Sequence, residues 1–150
     1  MIAMQHVKFL AITPPGAIVD NASYTTTSID TAGWDYLTVV AQLGATDVDM
    51  VALKLQTSDT DGSYADLTGA IYGTSADISG ATSALPLSTD DNKFYVFEVD
   101  LRGKKRYFDL VATAGNGAAG TYLSAFAILS RGEQTPITAA ARGCGNILRV

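Results

Sequence analysis

Three places in the chain carry residue types that could do chemistry. The run Gly115-Asn116-Gly117-Ala118-Ala119-Gly120 matches GxGxxG letter for letter. A dinucleotide site needs those glycines between a strand and a helix, where backbone N–H groups and the helix N-terminus hold the pyrophosphate. Here the residues that follow, Tyr122–Leu129, alternate like a strand, and position 140, about twenty on, is alanine and not an acidic ribose ligand. The run therefore reads as a flexible hairpin loop. Asp59-Thr60-Asp61-Gly62-Ser63 has the outline of a calcium loop, but its sixth and twelfth positions are Tyr64 and Ala70 where glycine and glutamate are needed. It reads as a tight turn, with Asp-Gly supplying the positive φ.

The third place is Arg102-Gly103-Lys104-Lys105-Arg106, which holds four of the ten basic residues. Such a turn either grips a carboxylate or phosphate on a neighbour or stands solvated. No aromatic residue interleaves it to stack a base, which argues against single-strand recognition. The remaining reactive types are scarce. His6 is the only histidine and Cys144 the only cysteine, so a histidine metal cluster or His-paired nucleophile has one possible member and no internal disulfide can form. His6 reads as a packing or interface residue and Cys144 as a free thiol. Six of the thirteen aspartates fall in turns (Asp30, Asp47, Asp59, Asp61, Asp90, Asp91), and no acid–base pair stands out. Asn21-Ala22-Ser23 is a glycosylation sequon with meaning only on a eukaryotic secretory route. The expectation is a chain with no catalytic residue, no cofactor and no metal, and so not an enzyme.

The elements that would hold these residues are strands. His6–Thr13 is apolar and β-branched and stops at Pro14-Pro15-Gly16. Ser23–Ile29 is rich in Thr and Tyr. Tyr36–Leu43 places Leu37, Val39, Ala41 and Leu43 on one face, and Met50–Thr57 places Val51, Leu53 and Leu55 on one face with Lys54 and Gln56 on the other. Lys93–Leu101 is apolar on both faces, the pattern of a strand covered on both sides. Arg106–Thr113 and Thr121–Ser130 complete the set, joined by Ala114–Gly120. Residues 62–91 read as one or two short strands or a loop excursion, and residues 131–150 as a tail. No stretch keeps a 3.6-residue period. The expected fold is all-β: a single-domain antiparallel β-sandwich, jelly-roll-like, over residues 1–150, with a core at about 6–131, a C-terminal arm at about 132–150 and an N-terminal arm at Met1–Gln5.

Composition fits that class. Charged residues are 17% of the 150, below the usual quarter, which suits a surface partly covered by partners. The net charge of −5 divides into three basic and thirteen acidic residues over 1–100 and seven basic and two acidic over 101–150. Either the sheets set the two groups side by side, or the molecule has an acidic and a basic side that favour self-association or docking. Overall acidity argues against direct nucleic-acid binding. The start lacks a basic, apolar leader, and no run approaches 18 apolar residues, so no signal peptide or membrane span is expected.

Three runs carry a family resemblance: AITPPGAIVDNASYTTTSIDTAGWDYLTVVAQLGATDVDM, ALKLQTSDTDGSYADLTG and RGKKRYFDLVATAGNGAAGTYLSAFAILSRGEQTP. With an SD-x-DG hairpin at Ser58–Gly62 and an RYF-x-LV-x-TAG strand at Arg106–Gly115, the chain resembles over residues 8–136 the decoration, or cement, proteins of tailed-bacteriophage capsids. The resemblance implies a structural virion protein on the capsid surface, synthesised in the bacterial host cytoplasm. It implies binding to the major capsid protein and to itself, as homodimer or homotrimer, across capsomer boundaries. It brings no active-site residues. The candidate assembly contacts are Met1 and Ile2 in one arm, Arg102, Lys104, Lys105 and Arg106 in the basic turn, and Arg142, Ile147, Leu148, Arg149 and Val150 in the other arm. The alternatives are a tail or neck component of the same particle and a carbohydrate- or receptor-binding module that uses Trp34, Tyr64 and Tyr72.

Overall fold

A computed structural model describes residues 4–149. Those residues form eight strands and no helix: β1 Lys8–Thr13, β2 Ile29–Asp30, β3 Trp34–Thr46, β4 Ala52–Ser58, β5 Ala65–Ile71, β6 Phe94–Asp100, β7 Tyr107–Thr113 and β8 Thr121–Gly132. Two antiparallel four-stranded sheets result, in the orders β1-β8-β3-β6 and β2-β7-β4-β5.

Period-two alternation builds the core that the two sheets share. Leu37, Val39, Ala41 and Leu43 of β3 and Leu123, Ala125, Ala127 and Leu129 of β8 point inward from the first sheet. Leu53 and Leu55 of β4 and Phe108, Leu110 and Ala112 of β7 meet them from the second, in one continuous cluster with Ile12, Tyr24, Ile29 and Met50. Apolar area removed from water in this way is the main stabilising term of a sandwich-like fold. Tyr24 is buried in this layer with its hydroxyl donating to the Thr121 carbonyl, which satisfies its one polar atom. Burial pushes its phenol up to about 12.

Two of the sequence expectations fail for physical reasons, at 23–29 and at Val51, while the stretch 62–91 holds the short strand and loop excursion read for it. The run 23–29 supplies only the two-residue β2 and an isolated bridge at Ser23. Its backbone changes partner midway: the Tyr24 N–H donates to Ala112 of the second sheet at 2.9 Å, and the Thr27 N–H to Ile12 of the first at 3.0 Å. A segment that crosses from one sheet to the other cannot stay in one ladder. Residues 72–93 are a loop excursion after β5, pinned by Asp90, whose carboxylate accepts from the Leu87 N–H at 2.9 Å and the Tyr95 hydroxyl at 2.6 Å and pairs with Lys93. Hydrogen bonding, from Lys93 first, holds that carboxyl far below the usual range. Val51, expected in the core, is exposed, because β4 begins one residue later, at Ala52, and its inward face is Leu53, Leu55 and Thr57.

The tail does not stand away from the body along its whole length. Residues 138–144 form a turn, with the Arg142 N–H on the Thr138 carbonyl at 3.1 Å and the Cys144 N–H on Ala139 at 2.9 Å, and this turn docks on β1. The Phe9 N–H, on the free edge of β1, donates to the Arg142 carbonyl at 2.8 Å. Arg142 is only 4% exposed; its Nε donates to the Val7 carbonyl at 3.0 Å and its Nη2 to the Met4 carbonyl. Gly143 has φ +75°, and a Cβ there would sit 2.0 Å from the Phe9 carbonyl oxygen, so only glycine fits. The free edge of β6 is guarded differently: the Tyr72 hydroxyl donates to the Val96 carbonyl at 2.8 Å and accepts from the Val96 N–H at 3.0 Å. Both edges of the first sheet thus carry a device against strand addition.

Candidate functional site

The GxGxxG run is a backbone anion nest, and the chain fills it itself. N–H groups of Ala118, Ala119 and Gly120 converge on the Asp47 carboxylate at 2.7, 2.6 and 2.9 Å, and the Gly117 N–H donates to Asp20 at 2.8 Å. Hydrogen bonds from Ala119 and Gly120 lead in drawing the Asp47 carboxyl below its ordinary value. The glycines make room for these contacts. A Cβ would fall 2.4 Å from the Asp49 carbonyl at Gly115, 2.5 Å from the Asp47 carboxylate at Gly117 and 2.4 Å from the Val19 carbonyl at Gly120. The loop read as flexible from its composition is therefore fixed by an internal carboxylate. Asp47→Asn is expected to speed amide exchange at 117–120 while leaving the core strands protected. Acid should act the same way: the folded carboxyl titrates below its ordinary value of 3.8, so the stability it contributes is present above that pH and fades as pH falls below it. Unchanged exchange in the variant would contradict the assignment.

The basic turn is mostly balanced within the chain. Arg106 makes a two-pronged pair with Asp30 at 2.8 and 2.7 Å, and Arg102 grips Asp100, with Nε 2.9 and 3.0 Å from the two oxygens. Lys105 lies 3.7 Å from Asp59. The Arg102 bonds bring the Asp100 carboxyl down to about 2, and the Arg106 bonds lower Asp30. Lys104 is exposed and makes no salt bridge among the described residues. Basic residues of the last third are thus set beside acids of the first hundred, the side-by-side arrangement of the two charge groups.

Other candidates scatter. His6 is exposed; Cys144 is half-buried with its thiol 3.6 Å from the Arg142 carbonyl. Arg142, expected to reach an outside carboxylate, is instead buried against main-chain carbonyls of Met4 and Val7, and this corrects its place among the outward contacts. Leu148 is 88% exposed, Arg149 is exposed and Ile147 half-buried. Met1, Ile2 and Val150 lie outside the described residues. The aromatics considered for sugar stacking are engaged. Trp34 is half-buried with its ring over Gly132, Tyr64 donates to Asp61 at 2.6 Å, and Tyr72 plugs β6 with its ring edge-on to Tyr95 and Phe97. No group of three or more metal-ligating side chains occurs among the described residues.

What does gather is the outer surface of the β1-β8-β3-β6 sheet. Register places Ala11, Phe126, Val40 and Val96 in one row across all four strands. Phe9, Ile128, Thr38 and Glu98 form the next row, and Ser124, Gln42 and Phe94 the row on the other side. Phe94 is 60% exposed, Tyr122 44%, Val96 41% and Phe126 39%. Alternation turns Glu98 and Asp100 outward from these strands, Asp100 being held by Arg102, and the Arg131 guanidinium lies over the outward Tyr36 ring, 5.6 Å from its centre. An antiparallel sheet that faced only water would alternate apolar-in with polar-out. Here both faces are apolar at β6 and β8. The strand read from sequence as covered on both sides is covered on one among the described residues. Two dents flank the patch, one of about 290 Å³ where Gly44 lies against Tyr122, and one of about 410 Å³ lined by Tyr36, Thr38, Glu98, Asp100 and Ser130.

Compared with protein-family models, curated proteins and solved structures, the chain finds no match.

Proposed function

We propose that this chain is a non-enzymatic structural subunit of a tailed-bacteriophage particle, which binds the outside of the capsid and stiffens it by bridging capsomers. The observation that carries a structural role is the apolar outer face of the β1-β8-β3-β6 sheet, with Phe94, Val96, Tyr122 and Phe126 open to solvent. A chain that worked alone would gain nothing from such a face, whereas a subunit of an assembly covers it. The particle and the capsid-surface location come from the sequence resemblance, with the major capsid protein as partner. Lys104 and the exposed tail residues Leu148 and Arg149 are the contacts that remain open to a shell.

Strands pair as β1 with β8, β2 with β7, β3 with β6 and β4 with β5, the pattern of one long antiparallel ribbon folded at β4–β5. Rolling that ribbon up adds the β3–β8 and β4–β7 contacts and yields a jelly roll, an architecture that viral capsid proteins share with lectins. The test is co-sedimentation with capsid shells from a phage of this kind that lack their decoration protein. Saturable binding at a fixed ratio per capsomer is expected. No binding to shells, together with a specific hit on a glycan array, would replace the role with carbohydrate recognition.

A further inference from the structure

We propose that Asn116 is a site of spontaneous covalent modification, deamidation through a cyclic imide, and that the Asp20 carboxylate holds it in the unreacted form by occupying the Gly117 N–H. The chemistry is intrinsic to the chain and needs no partner.

Of the four asparagines, Asn21, Asn92, Asn116 and Asn146, only Asn116 is followed by glycine. That neighbour matters because the attacking atom is the next residue's backbone nitrogen, and glycine has no Cβ to block its approach to the side chain. The Gly117 nitrogen gives up its proton to hydroxide and bonds to Asn116 Cγ. The Cγ–N bond of the side-chain amide breaks, and its nitrogen takes a proton from water and leaves as ammonia. Water then opens the imide. Cleavage at Cγ gives aspartate, and cleavage at the main-chain carbonyl carbon gives isoaspartate, in which the chain runs through the side chain. Nothing is oxidised or reduced: water is consumed and ammonia released. Asparagine is among the thermally labile residues for this reason.

Asn116 is exposed, and the backbone on either side of it is pinned. The Gly115 carbonyl accepts from the Asn21 N–H at 2.9 Å, and the Gly117 N–H donates to Asp20 Oδ1 at 2.8 Å. Beyond them, Val19 and Thr121 exchange main-chain hydrogen bonds at 3.0 and 2.8 Å, and the Asp47 carboxylate holds the N–H groups of residues 118–120. Ring closure requires the Gly117 nitrogen to lose its proton and turn toward Asn116 Cγ. In the closed loop that proton is committed to a carboxylate, in a bond stronger than one between neutral groups. Electrostatics acts in the same sense. Asp47 is the second carboxylate at Gly117, where a Cβ would fall 2.5 Å from its Oδ1, and two negative charges oppose the amide anion that makes the attack. The reaction therefore waits on local opening of the loop. Its product does not let the loop close as before. A new carboxylate stands beside Asp20 and Asp47, and isoaspartate adds a methylene to the main chain between Gly115 and Gly117. The change is one-way, and it loosens the contact between the β3–β4 and β7–β8 loops.

The test stores the full chain in mildly alkaline buffer and follows asparagine, aspartate and isoaspartate at position 116 by peptide mapping with mass spectrometry. Wild type is expected to convert slowly, and the same chain unfolded in guanidinium chloride quickly. Asp20→Ala, at an exposed position and with circular dichroism unchanged, should convert about tenfold faster than folded wild type. Asp20→Asn, which keeps an acceptor oxygen without the charge, should fall between the two. Amide exchange at 118–120, which Asp47 holds, should change little in Asp20→Asn. Folded wild type that converts as fast as the unfolded chain overturns the proposal, and so does Asp20→Ala converting no faster than wild type. Conversion of Asn21, Asn92 or Asn146 ahead of Asn116 overturns the choice of site. Exchange at 118–120 that speeds up as much as conversion does in Asp20→Asn would assign the protection to the loop as a whole and overturn the part given to Asp20.

Discussion

Phe108→Ala is expected to lower unfolding free energy by about 4 kcal/mol, the largest effect of any single truncation in this chain. Phe108 has no exposed surface and sits on β7 between β2 and β4, paired with Ile29 on one side and Thr57 on the other. It belongs to the same buried cluster as Leu37, Val39 and Leu129, and truncation leaves a cavity that strands hydrogen-bonded on both sides cannot collapse to fill. Against a total of about 5–15 kcal/mol the loss is large, and it corresponds to a fall in melting temperature on the order of 10 °C for a domain of this length. Denaturant titration measures it. A change below about 1 kcal/mol would mean that the two sheets do not share the core described here.

The second large effect is expected at the junction of the two chain ends. Arg142→Met keeps the length of the side chain and removes the donors to the Met4 and Val7 carbonyls. Hydrogen bonds from a charged group are worth about 1.5–3 kcal/mol each, and release of the tail to water recovers part of that, so a net loss of about 2–3 kcal/mol follows. The more telling readout is local. The turn at 138–144 should become a protease site, and the Phe9 amide, which donates to the Arg142 carbonyl, should exchange quickly. Gly143→Ala reaches the same state by another route, because its Cβ would collide with the Phe9 carbonyl. Tails that stay protected in both variants would contradict the clip.

Much of the fold is legible in the residues. Alternation in Tyr36–Leu43 and around Leu53 and Leu55 identifies inward faces, and Asp61-Gly62 marks the β4–β5 turn, where Gly62 takes φ +99°. The β2 region is less legible, since Thr and Tyr favour a pleated surface wherever it lies, and nothing local says that residues 24 and 27 serve different sheets. Asp47 was visible only as a turn aspartate, although its partners lie 71–73 residues away in the glycine run. Long-range pairing of a carboxylate with backbone N–H groups leaves no pattern in sequence. Arg142 misleads for a related reason: an arginine in a tail of small residues resembles a reaching contact until β1 carbonyls are placed beside it. The candidate face is an intermediate case. Residues 93–101 announce two apolar sides, but only the assembled sheet shows which side this chain leaves uncovered.

Edge and face play opposite parts in this molecule. Tyr72 on Val96 and the tail turn on Phe9 guard the two edges of the first sheet against strand addition. Phe94, Val96 and Phe126, by contrast, are left open across the middle of the same sheet. Guarded edges beside an open apolar face favour docking of defined stoichiometry over open-ended polymerisation.

Covalent footprinting by a photoactivated carbene is the most direct measurement of that arrangement, performed on the dilute chain and on its assembled form. Strong protection of Phe94, Val96 and Phe126 on assembly, with Tyr64 in the β4–β5 turn labelled equally in both states, is the predicted result. Equal labelling of Phe94, Val96 and Phe126 in both states would contradict it.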